Sequence, residues 1–211
     1  MKFITILLLL TFGLSQDYSL SFDGTDGNLV INNIDLFNNS SSSISFWYKN
    51  ESTGSDKIIL TNHWSPISTS NVMVTGLWDS DVPDYGGEKG QFYFHLRDDS
   101  MSYYTHITTQ SKLDNNKWHF IVCTINSELN IAKVIVDGII EAEESIPNNF
   151  NFDNGNGYRL AGEYYGAFSD FIIDELIFWN YALSLQEANN LMLSNLDFII
   201  SEGKISKINR I

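Results

Sequence analysis

The chain of 211 residues holds a single cysteine, Cys123, so no disulfide can close within it. It holds only three prolines, which argues against a proline-rich stalk or spacer. Basic residues are also scarce: 12 Lys and Arg stand against 26 Asp and Glu, a net charge of −14. Phosphate binding needs clustered cations, so this balance argues against nucleic acid as the partner. An acidic excess serves solubility or offers sites for cations. No apolar run approaches the ~20 residues that span a bilayer. The nearest candidate, Phe3–Leu10 with Phe12, sits behind Lys2 and ahead of Gly13 and Ser15. Those features predict a secretory signal over residues 1–15, cleaved near Gln16. Its loss removes Lys2 and takes the net charge from −14 to −15. Catalytic signatures are missing too: there is no nucleophile elbow, no phosphate loop and no HExxH pair. His63, His95, His106 and His119 show no metal-ligand spacing.

What the chain has is alternation. "YSLSF" (18–22) alternates and runs into the turn "DGTDGN". "SISFWYK" (43–49) sets Ile44, Phe46 and Tyr48 opposite Ser45, Trp47 and Lys49. "QFYFHLR" (91–97) sets Phe92, Phe94 and Leu96 opposite Tyr93, His95 and Arg97. "KWHFIVCTI" and "IAKVIVDG" add two strands, and Asp137-Gly138 turns the second into "IIEAEE". "GYRLAGE" and "DFIIDELIFW" complete the set. Cys123, inside "HFIVCTI", reads as a buried packing thiol. Helical signal occurs once: Ser184 and Glu187 form a capping box ahead of Leu185, Ala188, Leu191 and Met192. Strands with Gly/Asn turns and no β-α alternation predict an all-β, antiparallel two-sheet sandwich or jelly roll with one short C-terminal helix. "HFIVCTI" and "LIFW" are apolar on both faces, which predicts a sheet covered on both sides. The reading is one domain over residues 16–196, with 197–211 a last strand or tail.

Four stretches, in order, resemble the laminin-G-like, concanavalin A-like jelly rolls: "YSLSFDGTDGNLVI", "SSSISFWYKN", "KWHFIVCTINSELNIAKVIVDG" and "FIIDELIFWNYALSLQEANNL". The resemblance spans most of residues 18–192. It implies the fold, and an activity drawn from sugar binding, protein binding, adhesion or glycan cleavage.

Several residues are candidates for a site. In "FDGTDGN", Asp23, Asp26 and Asn28 can aim oxygens at one point, as Ca²⁺ requires. The resemblance implies a structural Ca²⁺ between this turn and Asp174 of the "I-D-E" strand. In "LWDSDVPDYGGEKG" (77–90), Trp78 and Tyr85 flank Asp79, Asp81 and Asp84. Aromatic faces with carboxylates suit a sugar, and Trp64 or Tyr103-Tyr104 would extend such a platform. The expected ligand-binding set is Trp64, Trp78, Asp79, Asp81 and Tyr85. Sequons place glycosylation at Asn38, Asn39 or Asn50. Retaining glycosidases hold two carboxylates ~5.5 Å apart. Asp174 and Glu175 are adjacent, so simple alternation sends them to opposite faces, Leu176 and Phe178 pointing with Asp174. Glu141 and Glu143 share a face but lack a central Asp. The expectation is a secreted, non-catalytic module that binds extracellular or cell-wall carbohydrate, with calcium as a structural ion. An extracellular protein ligand is the alternative, and a glycan-cleaving enzyme the second alternative.

Overall fold

The computed structural model describes residues 19–32, 34, 36–50, 57–63, 71–98, 103–153, 155, 157–161, 168–193 and 206–207. Residues 1–15, read as a signal, lie outside these. The strands are β1 (Leu20–Asp23), β2 (Leu29–Ile31), β3 (Ser42–Asn50), β4 (Lys57–Thr61), β5 (Val72–Leu77), β6 (Gln91–Arg97), β7 (Tyr104–Lys112), β8 (Trp118–Asn126), β9 (Ile131–Val136), β10 (Ile139–Ser145), β11 (Tyr158–Leu160), β12 (Asp170–Trp179) and β13 (Ser206–Lys207). Helix α1 covers Leu185–Leu193. One sheet runs β1-β12-β3-β8-β9-β10, with β13 beside β12, and the other runs β2-β11-β4-β5-β6-β7. All pairings are antiparallel. This is a concanavalin A-like sandwich.

The core lies between the sheets because the period-two faces meet there. Ile44, Phe46 and Tyr48 of β3 and Phe92, Phe94 and Leu96 of β6 are all fully buried in it, as their alternation predicts. The apolar outer face of β8 and β12 also has its cover. Phe120, Val122, Ile177 and Trp179 form a second cluster with Leu183, Ala188 and Leu191 of α1 and its approach. The helix starts as its capping box requires: Ser184 N–H donates to Glu187 Oε2 at 2.8 Å, and Glu187 N–H to Ser184 Oγ at 3.2 Å. The hairpin at Asp137-Gly138 has both residues at positive φ (49° and 80°), the geometry of a two-residue turn. Cys123 is fully buried, and burial raises its pKa, which suits packing and not nucleophilic attack.

One expectation fails in β12. Its register against β3 shifts between Asp174 and Ile177, and Glu175 takes a φ of 51°. This β-bulge resets the alternation. Phe171 and Ile173 face the core before it; Leu176 and Phe178 face the core after it. Asp174 therefore does not point with Leu176 and Phe178. It pairs with Trp47, whose ring packs on the helix-covered cluster.

Strands β4, β5 and β7 were not legible as strands. The first two are apolar almost throughout, while β7 is rich in Thr, Ser and Gln, so neither type alternates clearly.

Candidate functional site

The sandwich has two outer faces, and only one lies under α1. The outer face of the six-stranded sheet follows from its register. One row runs Ile58–Gly76–Tyr93–Thr108, and the next Arg159–Thr61–Val74–His95–His106. A third runs Val72–Arg97–Tyr104. Paired residues share a face, so these rows assemble rings from different strands.

Trp78 follows β5 directly and is pinned at its backbone, its N–H donating to Gln91 O and its C=O accepting from Gly90 N–H. Its indole packs over Tyr93, with ring centroids 4.3 Å apart, and donates from Nε1 to Thr108 Oγ1 at 3.4 Å. Gly87 lies so close beneath that a Cβ there would meet the indole ring. The loop beyond Trp78 folds back through a 3-10 turn at Pro83–Tyr85. Tyr85 is thereby laid parallel to Trp78, with centroids 6.2 Å apart and planes 6° apart.

His106 is the hub of the cluster. It contacts Trp78 and Tyr85 at 5.0 Å each, Tyr93 at 5.9 Å, Tyr104 at 5.1 Å and His95 at 4.3 Å. Burial lowers its pKa to about 4. His95, stacked on it, is lowered to about 3 by burial first and by His106 second. Both imidazoles are therefore neutral at pH 7. His95 Nδ1 donates to Thr105 O at 2.9 Å, which leaves Nε2 as an acceptor. Above this layer Tyr85 and Tyr104 are exposed, at 50% and 44%. The result is a polar-edged aromatic shelf, able to stack against C–H surfaces and to hydrogen-bond hydroxyls. A transition-metal role is not what the arrangement offers, since stacked imidazoles do not converge on one point.

The residues singled out in the sequence fare unevenly. Trp78 and Tyr85 come together in the shelf, and Tyr104 joins them. Tyr103 instead packs on Phe152, at the core. Trp64 lies outside the described residues. Asp79 and Asp81 stay in the loop as its braces: Asp79 accepts from Ser80 Oγ, and Asp81 Oδ1 accepts Lys89 N–H at 2.9 Å. His95, His106 and Tyr93 were missed as site residues. The available signal was the non-core position of Tyr93 and His95 in "QFYFHLR"; β7, which does not alternate clearly, carried none for His106.

The calcium set is not brought together as expected. Asp23 pairs with Asp170, while Asp174 lies one position beyond the Leu20–Ile173 pair at the other end of β1. That separates them by about 13 Å along the strands. Asp174 Oδ1 accepts Glu175 N–H, and Asp23 Oδ1 accepts Thr25 N–H. Among the described residues, no group of three or more His, Cys, Asp or Glu is placed to hold a metal. Of the sequons, Asn38 and Asn39 are exposed, but Asn50 is buried at the end of β3, a position that does not fit a glycan.

The carboxylates of β10 are engaged structurally. Glu141 accepts from the N–H groups of Gln110 and Ser111 and from Ser111 Oγ, joining the edges of the two sheets. Glu143 pairs with Lys133 at 2.7 Å. His119, buried, links Asp137 (2.7 Å) and Asn115 (3.0 Å) and so ties the "W-H" and "V-D-G" stretches together.

The family model of the concanavalin A-like lectin/glucanases superfamily matches residues 23–189, and the chain belongs to that family. No curated protein matches it. Among solved structures it is similar to the binding domain of Paraclostridial Mosquitocidal Protein 1, with a TM-score of 0.60 and 16% identity over 82% of this chain and 45% of that one. It is equally similar to the binding domain of botulinum neurotoxin DC, seen with SialylT and, in another structure, with rat synaptotagmin II. There the TM-score is 0.60 and identity 16%, over 84% of this chain and 42% of that one. The CBM40 of Ruminococcus gnavus IT-sialidase, bound to α2,3 sialyllactose, matches with a TM-score of 0.58 and 13% identity over 79% and 96%. This chain spans less than half of the toxin binding domains it matches. At these identities the likeness shows the fold. These neighbours include domains seen with a bound glycan.

Proposed function

We propose that this chain is a secreted, non-catalytic module that binds carbohydrate on the outer face of its six-stranded sheet. The observation that carries the reading is the shelf of Tyr85 and Tyr104, exposed above Trp78, Tyr93 and the neutral imidazoles of His95 and His106. Exposed rings backed by other rings give a rigid apolar surface at low entropic cost. Neutral imidazoles and phenol edges supply the hydrogen bonds that orient hydroxyls. The glycan-bound neighbours, with SialylT and with sialyllactose, support the ligand class. Secretion is supported by the N-terminal pattern Met1–Ser15.

The non-catalytic reading is supported by the state of the carboxylates, since Glu141 and Glu143 are committed to structural partners. A protein ligand is the second reading, favoured by the synaptotagmin II complex of the neurotoxin domain. Calcium, as a structural ion, belongs in this reading at the β1–β2 turn, with Asp23, Asp26 and Asn28 of the expected set and without Asp174.

A glycan array tests the function. Binding to one glycan class, lost in Tyr104→Ala, is the expected result. A blank array, with one extracellular protein recovered in a pull-down that Tyr104→Ala abolishes, would replace the carbohydrate reading by the protein one. Release of new sugar ends would overturn the non-catalytic assignment.

A further inference from the structure

Charge is distributed unequally between the sheets. The six strands of the ring-bearing sheet contain Lys57, Arg97, Lys112 and Arg159, and not one Asp or Glu. In the whole chain, acidic residues outnumber basic ones 26 to 12. The opposite sheet carries the acidic share in its strands, including Asp170, Asp174, Glu175, Glu141, Glu143 and Glu144. Solubility does not require such a partition, because a solvated carboxylate is tolerated on any exposed strand position.

One of these cations sits directly beside a ring. Arg97 is the direct cross-strand partner of Tyr104, the exposed ring, while Arg159 lies in the row of His95 and His106 but three strands from His95. His63 is close to Arg97: its pKa is lowered by burial first and by the Arg97 charge second. Its Nδ1 is buried with no hydrogen-bond partner. A guanidinium next to a ring face can take an oxyanion through two parallel N–H donors while the ring supports the attached sugar.

We propose that the ligand of this face is an acidic glycan, its sugar ring lying on Tyr104 and its anionic group held by Arg97 with His63 alongside. The inference rests on the carbohydrate reading above and narrows it. The chemistry shared by a carboxylated and a sulfated sugar satisfies it equally. The acidic loop around Asp79, Asp81 and Asp84 would then repel misplaced anions at the rim, fixing which end of the glycan enters.

The test is an array in which each acidic glycan is printed beside its neutral parent, for example 3′-sialyllactose and 3′-sulfolactose beside lactose. Acidic members should bind at least tenfold more tightly than their parents, and the advantage should fall as salt is raised. Arg97→Gln should remove the advantage while leaving the weaker binding to neutral parents, in a variant shown to be folded by cooperative thermal unfolding. Arg97→Lys should restore it in part, since a point charge replaces a fork. The carboxylate and sulfate arms identify which anion is preferred. Equal binding of acidic and neutral members by the wild-type protein overturns the inference and leaves the carbohydrate reading standing. No binding to any member overturns both.

Discussion

The outer faces of the two sheets are built from the same materials and used oppositely. On the β12-β3-β8 side, Trp179, Trp47 and Phe120 lie beneath α1, and Trp179 Nε1 spends its only donor on Ser45 Oγ at 2.9 Å. On the β5-β6-β7 side, Tyr85 and Tyr104 stand open to solvent over Trp78, and no helix of the described residues covers them. Aromatic content alone therefore does not mark a site. What marks it is a ring that is supported from behind and uncovered in front.

This contrast is open to direct attack. The largest effect should come from Trp179→Ala, which empties a buried site and costs about 3–5 kcal/mol in urea unfolding. Glycan affinity should then change little under conditions where the variant stays folded. Tyr104→Ala should do the reverse: stability within about 1 kcal/mol of wild type, and affinity down about tenfold or more. If both variants lost stability alike, the two faces would be equivalent and the shelf would be packing.

Acid should separate the faces next. His95 and His106 hold pKa values of about 3 and about 4 through burial, below the ordinary 6.5. The unfolded chain thus binds more protons as pH falls below ~6.5, so their share of stability is present above that value and is lost toward pH 4. His106→Phe should flatten the fall in melting temperature between pH 7 and pH 4 relative to wild type. Ser184→Ala, which removes the α1 cap, should cost about 1 kcal/mol without touching ligand affinity. The smallest effect is expected from Asp174→Ala, which should leave any difference in melting temperature between calcium and EGTA unchanged. Asp23→Ala should abolish that difference.

The sandwich was legible because its core strands keep a strict period. Phe92, Phe94 and Leu96 declare their face in "QFYFHLR", and Ser184 with Glu187 declares the helix start. The site was legible only in part. Trp78 and Tyr85 are neighbours in sequence through one short loop, so their meeting could be anticipated. His95 meets His106 across a strand pair whose second member, β7, does not alternate clearly, and sequence spacing carries no trace of that register. The distance of Asp174 from Asp23 was hidden for a related reason: which residue of β12 faces Asp23 depends on a pairing offset of a few residues.

The bulge at Glu175 has a consequence for how this chain can change length. It works as a phase shifter, letting "DFIIDELIFW" serve the core with Phe171 and Ile173 and again with Leu176 and Phe178. Deleting Glu175 would join Asp174 directly to Leu176, so unbroken alternation would keep Leu176 and Phe178 on the core and Ile177 and Trp179 toward α1. Losing this one half-exposed acidic residue should therefore disturb the fold less than losing a residue from β3, whose unbroken alternation would be reversed from that point on. Exchange of Glu175 for Gly or Asn should suit its positive φ.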